Sequence, residues 1–239
     1  MNMRIDSFIR RMIVMVVGCL AMLQAQAQQQ DQVPVQDQER REVMIETSLG
    51  NVRIALYNET PQHRDNFLRL VESGFYNGIA FHRVIYGFMI QVGDPAQRDS
   101  TVEAPQVERH KVPAEIVYPQ YFHKRGALAA ARESDAVNPE RMSSASQFYI
   151  VYGKRHDDAM LDKAQRQLDK NTQGQVTLTP EVRDEYKRVG GTPHLDGQYT
   201  VFGEVVEGLN IVKDIDWVQT DDQDRPLEPV RIIRASIVK

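Results

Sequence analysis

Cysteine is nearly missing from this chain. Of 239 residues only Cys19 carries a thiol, and it lies in an apolar N-terminal run. Beyond that run the sequence has no disulfides and no thiolate chemistry, which suits an oxidising compartment. The six histidines, His63, His82, His110, His123, His156 and His194, show no ligand spacing with one another, so a metal centre is not indicated. Ser143, Ser144 and Ser146 are not set in a nucleophile elbow, and no P-loop or dinucleotide fingerprint occurs, so no cofactor is expected. The formal charge is −4. A mildly acidic chain argues against nucleic acid as a partner. No apolar run is long enough for a spanning helix.

What is present begins with a leader. Arg4, Arg10 and Arg11 form a basic start, an apolar run follows over 12–23, and Ala25-Gln26-Ala27 is a small-x-small cleavage pattern. Residues 1–27 read as a secretory signal peptide. Its removal takes away three arginines and one aspartate, moving the formal charge from −4 to −6. The expected location is exported, periplasmic and soluble. A second reading stays open: Val16-Val17-Gly18-Cys19 is similar to a bacterial lipobox, which would make Cys19 a lipid anchor. Residues 28–41 are rich in Gln and Asp with almost no apolar side chains, and read as a disordered leader.

The folded part is expected over 42–239. Residues 43–47 and 52–56 look like an opening β-hairpin. Thr60-Pro61 starts a helix with Phe67, Leu68 and Val71 on its apolar side, and Gly74 sits at its C-cap. Strands are read within 81–92, then at 126–131, 147–152, 200–206 and 230–239. A short helix falls at 208–217. Many strands, two helices and no βαβ alternation point to an antiparallel barrel or sandwich. Between 154 and 190 lies an extra stretch with two helical patterns, one over Asp157 to Lys170 with Leu161, Ala164 and Leu168 on one side, the other capped by Thr179-Pro180. It reads as a surface excursion dispensable for small substrates, since loop length itself costs little. Its return at Gly190-Gly191-Thr192-Pro193, beside Leu195, leaves a substrate-contacting role open.

The most informative run is Phe81-His82-Arg83-Val84-Ile85-Tyr86-Gly87-Phe88-Met89-Ile90-Gln91-Val92. It places an arginine and a glutamine in two apolar strands joined at Tyr86-Gly87. A guanidinium cannot shed its proton and is costly to bury alone, so Arg83 should face a carboxylate, a cleft or both. This run resembles the cyclophilins, prolyl isomerases marked by Phe-His-Arg-x-Ile-x-Gly-Phe-Met-x-Gln. Two further blocks follow in the family's order. One is Gly126-Ala127-Leu128-Ala129-Ala130-Ala131-Arg132 with Ser146-Gln147-Phe148-Tyr149-Ile150. The other is Leu195-Asp196-Gly197 with Gln198-Tyr199-Thr200-Val201-Phe202-Gly203.

The resemblance implies a mainly β, closed eight-stranded barrel capped by two helices, packed solid inside, with substrate on its outer surface. It implies a peptidyl-prolyl cis-trans isomerase that assists folding of exported proteins by rotating Xaa-Pro bonds. The alternative is a non-catalytic peptide-binding chaperone or scaffold using the same groove. Xaa-Pro rotation faces a barrier of ~18–20 kcal/mol and takes tens of seconds or longer unaided. No bond breaks, so no nucleophile, metal or acid–base pair is needed. Removing ~7 kcal/mol would give roughly a 10⁵-fold acceleration.

By resemblance, Arg83, Phe88, Met89 and Gln91 are the catalytic set. Arg83 would bond the proline carbonyl and stabilise the twisted nitrogen, with Gln91 orienting Arg83 or holding the peptide. Phe88, Met89, Tyr149 and Leu195 would form the socket for the ring. Gln147 and the main chain of Ala131 and Arg132 would hold the residues before the proline. His194 and Tyr199 would stand at the rim. Strand alternation would send Phe88 and Met89 to opposite faces, so a glycine bulge at Gly87 is expected. Four positions depart from the best-studied members: Tyr149 for phenylalanine, Tyr199 for histidine, His194 for tryptophan, and Val92 for glycine. The stretch 95–113, where the family often has a glycine-rich loop, has no glycine. Proline-containing unfolded or folding polypeptides are the implied partners. Cyclosporin, which inhibits many cyclophilins, is expected to bind only weakly because His194 replaces a tryptophan.

Overall fold

The computed structural model describes residues 39–239. The signal peptide, Cys19 and the leader as far as residue 38 lie outside the described residues. Where the description starts, Arg40 already pairs with Glu204 at 2.9 Å and covers the Tyr57 ring. Arg41 donates to the carbonyl of Lys239.

The strands are β1 (Glu42–Thr47), β2 (Gly50–Leu56), β3 (Arg83–Ile85), β4 (Met89–Val92), β5 (Ala127–Ala130), β6 (Phe148–Val151), β7 (Val201–Glu207) and β8 (Ile232–Ile237). They form one eight-stranded antiparallel sheet in the order β3-β4-β6-β5-β7-β2-β1-β8. The expected closed barrel is not a continuous ladder. The sheet ends at β3 on one side and at β8 on the other. The outer edge of β3 is taken by another segment, with the Val84 N–H donating to the Asp224 carbonyl. Residues before β3 reach across to β8 and the segment ahead of it, through backbone bonds of Gly78 and Ile79 with Ile232, an Ala80–Arg231 bridge and a bond from Phe81 N–H to the Val230 carbonyl.

Period-two alternation sorts the side chains. Val84, Ile90, Val92, Leu128, Phe148, Ile150 and Phe202 point to one face and join the main core with Ile45, Ile54 and Ile232. Met89, Ala127, Ala129, Tyr149, Val151 and Val201 point to the other and form a second cluster. A sheet that reads apolar on both faces needs cover on both.

Four helices complete the described chain: α1 (Pro61–Glu72), α2 (Asp158–Thr172), α3 (Pro180–Arg188) and α4 (Leu209–Asp216). None of the described helices is long and apolar enough to cross a membrane. The first turn of α1 is not capped by Thr60, whose side chain makes no capping bond. Glu115, distant in sequence, accepts from the backbone N–H groups of Gln62 and His63 at 3.0 Å each. Helices α2 and α3 make up the extra stretch. Asp157 and Thr179 accept from Met160 N–H and Val182 N–H at their starts. The pair carries its own core of Leu161, Leu168, Val176, Leu178, Val182 and Tyr186, packed on Tyr118 and Phe122.

Candidate active site

The site residues occupy the sheet face away from the main core. In register, Arg83 faces Gln91, Gln91 faces Tyr149, and Tyr149 faces Ala129. Directly opposite residues in antiparallel strands share a face, so these four form one row across β3, β4, β6 and β5. Met89 lies two residues from Gln91 and is on the same side.

Phe88 reaches this side by another route than the expected bulge. Tyr86, Gly87 and Phe88 form the turn between β3 and β4, closed by the Phe88 N–H on the Ile85 carbonyl at 2.9 Å. Gly87 has φ +66°, which suits glycine. Its N–H donates to Asp216 Oδ2 at 2.8 Å, fixing the turn to the end of α4. Because Phe88 belongs to the turn and not to the strand, alternation does not apply to it. Burial pushes the Asp216 carboxyl up to about 6, the Gly87 N–H, Arg125 and Lys154 opposing the shift.

These elements enclose a cavity of about 200 Å³ lined by Arg83, Phe88, Met89, Gln91, Ala131, Arg132, Tyr149, Leu195 and Tyr199. Gln147 lines an adjoining cavity of about 350 Å³ together with Gln91, Ala131 and Arg132. Gln91 Nε2 donates to Gln147 Oε1 at 3.0 Å, so the two amides hold each other across the divide. His194 lines a third cavity, with its ring stacked on Phe88 at 5.5 Å. Burial lowers its affinity for a proton, which keeps the ring neutral at pH 7.

The polar groups differ in what they have left to offer. Arg83 is 47% exposed and meets Asp224 only through Nε, at 3.4 Å. Its two terminal NH₂ groups make no hydrogen bond among the described residues. Arg132 is more heavily engaged, bonding the Gln198 and Glu133 carbonyls through Nε and Nη1, pairing with Asp135, and lying 4.4 Å above the Tyr199 ring. Its side chain therefore braces Tyr199. The main chain of Ala131 is itself hydrogen-bonded, its N–H donating to the Gln147 carbonyl and its carbonyl accepting from the Ser144 N–H.

Sequence reasoning missed what lies beneath Tyr149. Its hydroxyl is 2.9 Å from His123 Nε2, and burial holds that hydroxyl protonated well above its ordinary range. His123 Nδ1 is 2.9 Å from Asp196 Oδ1, which also accepts from the His123 backbone N–H. Tyr186 of α3 donates to the same carboxylate, at 2.8 Å from Oδ2. With Asp196 accepting from Nδ1–H, Nε2 is the acceptor for the Tyr149 hydroxyl, an assignment made from the network. His123, Asp196 and Tyr186 are all buried. In the sequence Asp196 stands out only within its Leu-Asp-Gly motif, and nothing in the spacing of the other two links them to it.

An exposed arginine lining a cavity that mixes apolar and polar side chains, with no serine or cysteine among its lining residues, suits a reaction that needs grip and one charge. Residues 42–237 match the family model for cyclophilin type peptidyl-prolyl cis-trans isomerase. The chain is 34% identical over 196 residues to the peptidyl-prolyl cis-trans isomerase ppi1 of Schizosaccharomyces pombe, covering 81% of this chain and 96% of that one. It is 33% identical over 189 residues to the peptidyl-prolyl cis-trans isomerase-like 1 of Rhizopus delemar, covering 78% and 87%. Among solved structures, the cyclophilin type isomerase of Cryptosporidium parvum superposes with a TM-score of 0.60 at 23% identity, covering 84% of this chain and 99% of that one. The structure of that protein in the presence of the dipeptide Ala-Pro gives a TM-score of 0.58.

Proposed function

The chain belongs to the cyclophilin-type peptidyl-prolyl cis-trans isomerase family, and from that premise we propose that it turns over Xaa-Pro bonds of exported polypeptides at the cavity around Arg83. Phe88, Met89, Tyr149 and Leu195 grip the proline ring. The terminal N–H groups of Arg83 hold the proline carbonyl and favour the nitrogen that has left amide conjugation, an interaction stronger in the twisted state than in either planar one. Gln91 and Gln147, fixed to each other, hold the chain before the proline. The observation that carries the reading is the state of Arg83: charged, half-exposed at the cavity mouth, and with its outer donors uncommitted. Export rests on the basic start, apolar run and Ala25-Gln26-Ala27 of the leader. Cyclosporin binds weakly, because His194 offers a smaller apolar face than a tryptophan would.

The test is the isomerisation rate of an Ala-Pro or Leu-Pro peptide with wild type beside Arg83→Ala. The substitution lowers kcat/KM by at least about 10²-fold, or about 2.7 kcal/mol at the transition state. The fold survives, since an exposed ion pair at 3.4 Å adds little stability. An inactive wild type overturns the reading and leaves a non-catalytic peptide binder, and a variant as fast as an active wild type overturns the role given to Arg83. Mass spectrometry of the mature N-terminus decides export: Gln28 at the start supports soluble secretion, lipidated Cys19 an anchor, and an intact Met1 neither.

A further inference from the structure

Beyond Phe88 and His194 the groove does not end. Their stacked rings separate the proline cavity from a second one of about 400 Å³, whose far wall is helix α2 of the extra stretch. Three cavities therefore lie in a row: the Gln147 cavity shares Gln91, Ala131 and Arg132 with the middle one, and the middle one shares Phe88 with the third. On the proposed binding mode, residues before the proline lie on the Gln147 side. A chain continuing through the site leaves past Phe88 toward α2.

The third cavity has a definite chemistry. Met160 and Ala164 of α2 and Pro193 supply apolar surface, while Lys154, Arg155 and Lys163 supply three exposed cations. None of these three is within ion-pair distance of a carboxylate among the described residues. The acids at the start of α2 are committed elsewhere. Asp157 caps the helix, Asp158 pairs with Arg183 and Lys187, and Asp162 pairs with Arg183. Lys154 acts on the Asp216 carboxyl only at a distance and lies 5.6 Å from the Tyr86 ring. The wall also holds two buried polar atoms with no hydrogen-bond partner among the described residues, His156 Nδ1 and Thr192 Oγ1. With His156 Nε2 on the Gly191 carbonyl at 2.9 Å, Nδ1 is left as an acceptor. Uncommitted cations over apolar surface match an acidic residue carried on an otherwise apolar segment.

We propose that this cavity is a second substrate subsite, built by the extra stretch, that selects an acidic residue on the segment following the proline. The proposal rests on the isomerase reading for the direction of the chain. An exposed pair is weak by itself, so the preference comes from three cations acting together and amounts to about fivefold or more for Glu over Lys.

The experiment uses the full chain and three peptides, Ala-Ala-Pro-Ala-Xaa-Ala with Xaa as Glu, Ala or Lys. Turnover and direct binding, read by fluorescence anisotropy of labelled peptides, are measured in parallel. Wild type binds the Glu peptide about fivefold or more tightly than the Lys peptide, seen in KM and not in kcat. The double variant Arg155→Glu/Lys163→Glu brings that ratio to unity or inverts it, and the neutral pair Arg155→Gln/Lys163→Gln falls between. A ratio of affinities does not depend on the active fraction, so partial misfolding cannot mimic the result. Equal binding of the three peptides by wild type, or an unchanged ratio in the Glu variant, overturns the subsite even if turnover is fast. Absent turnover with the Glu preference intact overturns the isomerase reading and leaves the subsite standing.

Discussion

The hydroxyl of Tyr149 lies 2.9 Å from Nε2 of His123, so a ring lining the Arg83 cavity is tethered to a side chain that lies outside it. Each partner satisfies the other in a place where an unpaired polar group costs about 1–3 kcal/mol. Tyr149→Phe keeps the ring and loses one bond, so stability falls by about 1–2 kcal/mol and kcat/KM stays within about threefold of wild type. His123→Leu orphans both the hydroxyl and one contact of the buried Asp196 carboxylate, and costs about 3–5 kcal/mol. Urea unfolding of both singles and the double variant checks this. The double variant should cost clearly less than the two singles added together, because they share a partner.

Tyr186 carries the network into the extra stretch. Its hydroxyl is 2.8 Å from Asp196 Oδ2, and neither residue reaches solvent. Tyr186→Phe therefore lowers the unfolding free energy by about 1–3 kcal/mol with no change of shape in the helix pair. Equal stability of the variant and wild type would mean that Asp196 is satisfied without α3.

Asp216 makes the Phe88 turn sensitive to a rise in pH. Its folded value, about 6, lies above the ordinary 3.8, so the folded state holds a proton that the unfolded state releases. Stability linked to this group is fully present below 3.8 and is lost as pH rises through about 6. The proton has a place to sit, since Oδ1 is buried with no partner among the described residues. Asp216→Asn keeps an acceptor for the Gly87 N–H and removes the titration. The stability of the variant relative to wild type should rise with pH across that window and then level off. A constant difference from acid to neutral pH would show that Asp216 titrates as an ordinary carboxyl.

His194 stacks on Phe88 with its rings at 5.5 Å, and its replacement by a larger ring should extend that surface. For cyclosporin the missing contact is roughly 1–3 kcal/mol, or about 5- to 150-fold in affinity. In His194→Trp the inhibition constant should fall by about tenfold or more, while Ala-Pro turnover changes by less than about threefold. Tight inhibition of the wild type would place the deciding contact elsewhere.

The sequence and the structure agree best where the signal is local or where several blocks share an order. The 81–92 run yields β3, the turn and β4, and the helix signals at Asp157, Thr179 and Gly208 mark real starts. Thr60 misleads because its position predicts a cap that a distant Glu115 supplies instead, and no local pattern announces such a pairing. The same limit hides the Tyr149–His123–Asp196–Tyr186 chain, whose members come from four separate segments. It also explains why the extra stretch looks dispensable in sequence: its two helices have ordinary amphipathic faces, and only the fold brings Tyr186 onto Asp196. Phe88 is a finer case. Treating it as a strand residue demands a bulge, whereas a turn residue needs none.

The two faces of the sheet divide the protein's liabilities. Along β4, Ile90 and Val92 join the main core while Met89 and Gln91 line the Arg83 cavity, and β6 splits Phe148 and Ile150 from Tyr149 in the same way. Substrate preference can therefore drift by exchanging every second residue, with little demand on the interior. The converse also holds: a slip of one residue in any of these strands would transpose the two sets, spoiling solidity and selectivity at a stroke. Alternation acts here as a partition, so that a substitution on the cavity side need not disturb the framework behind it.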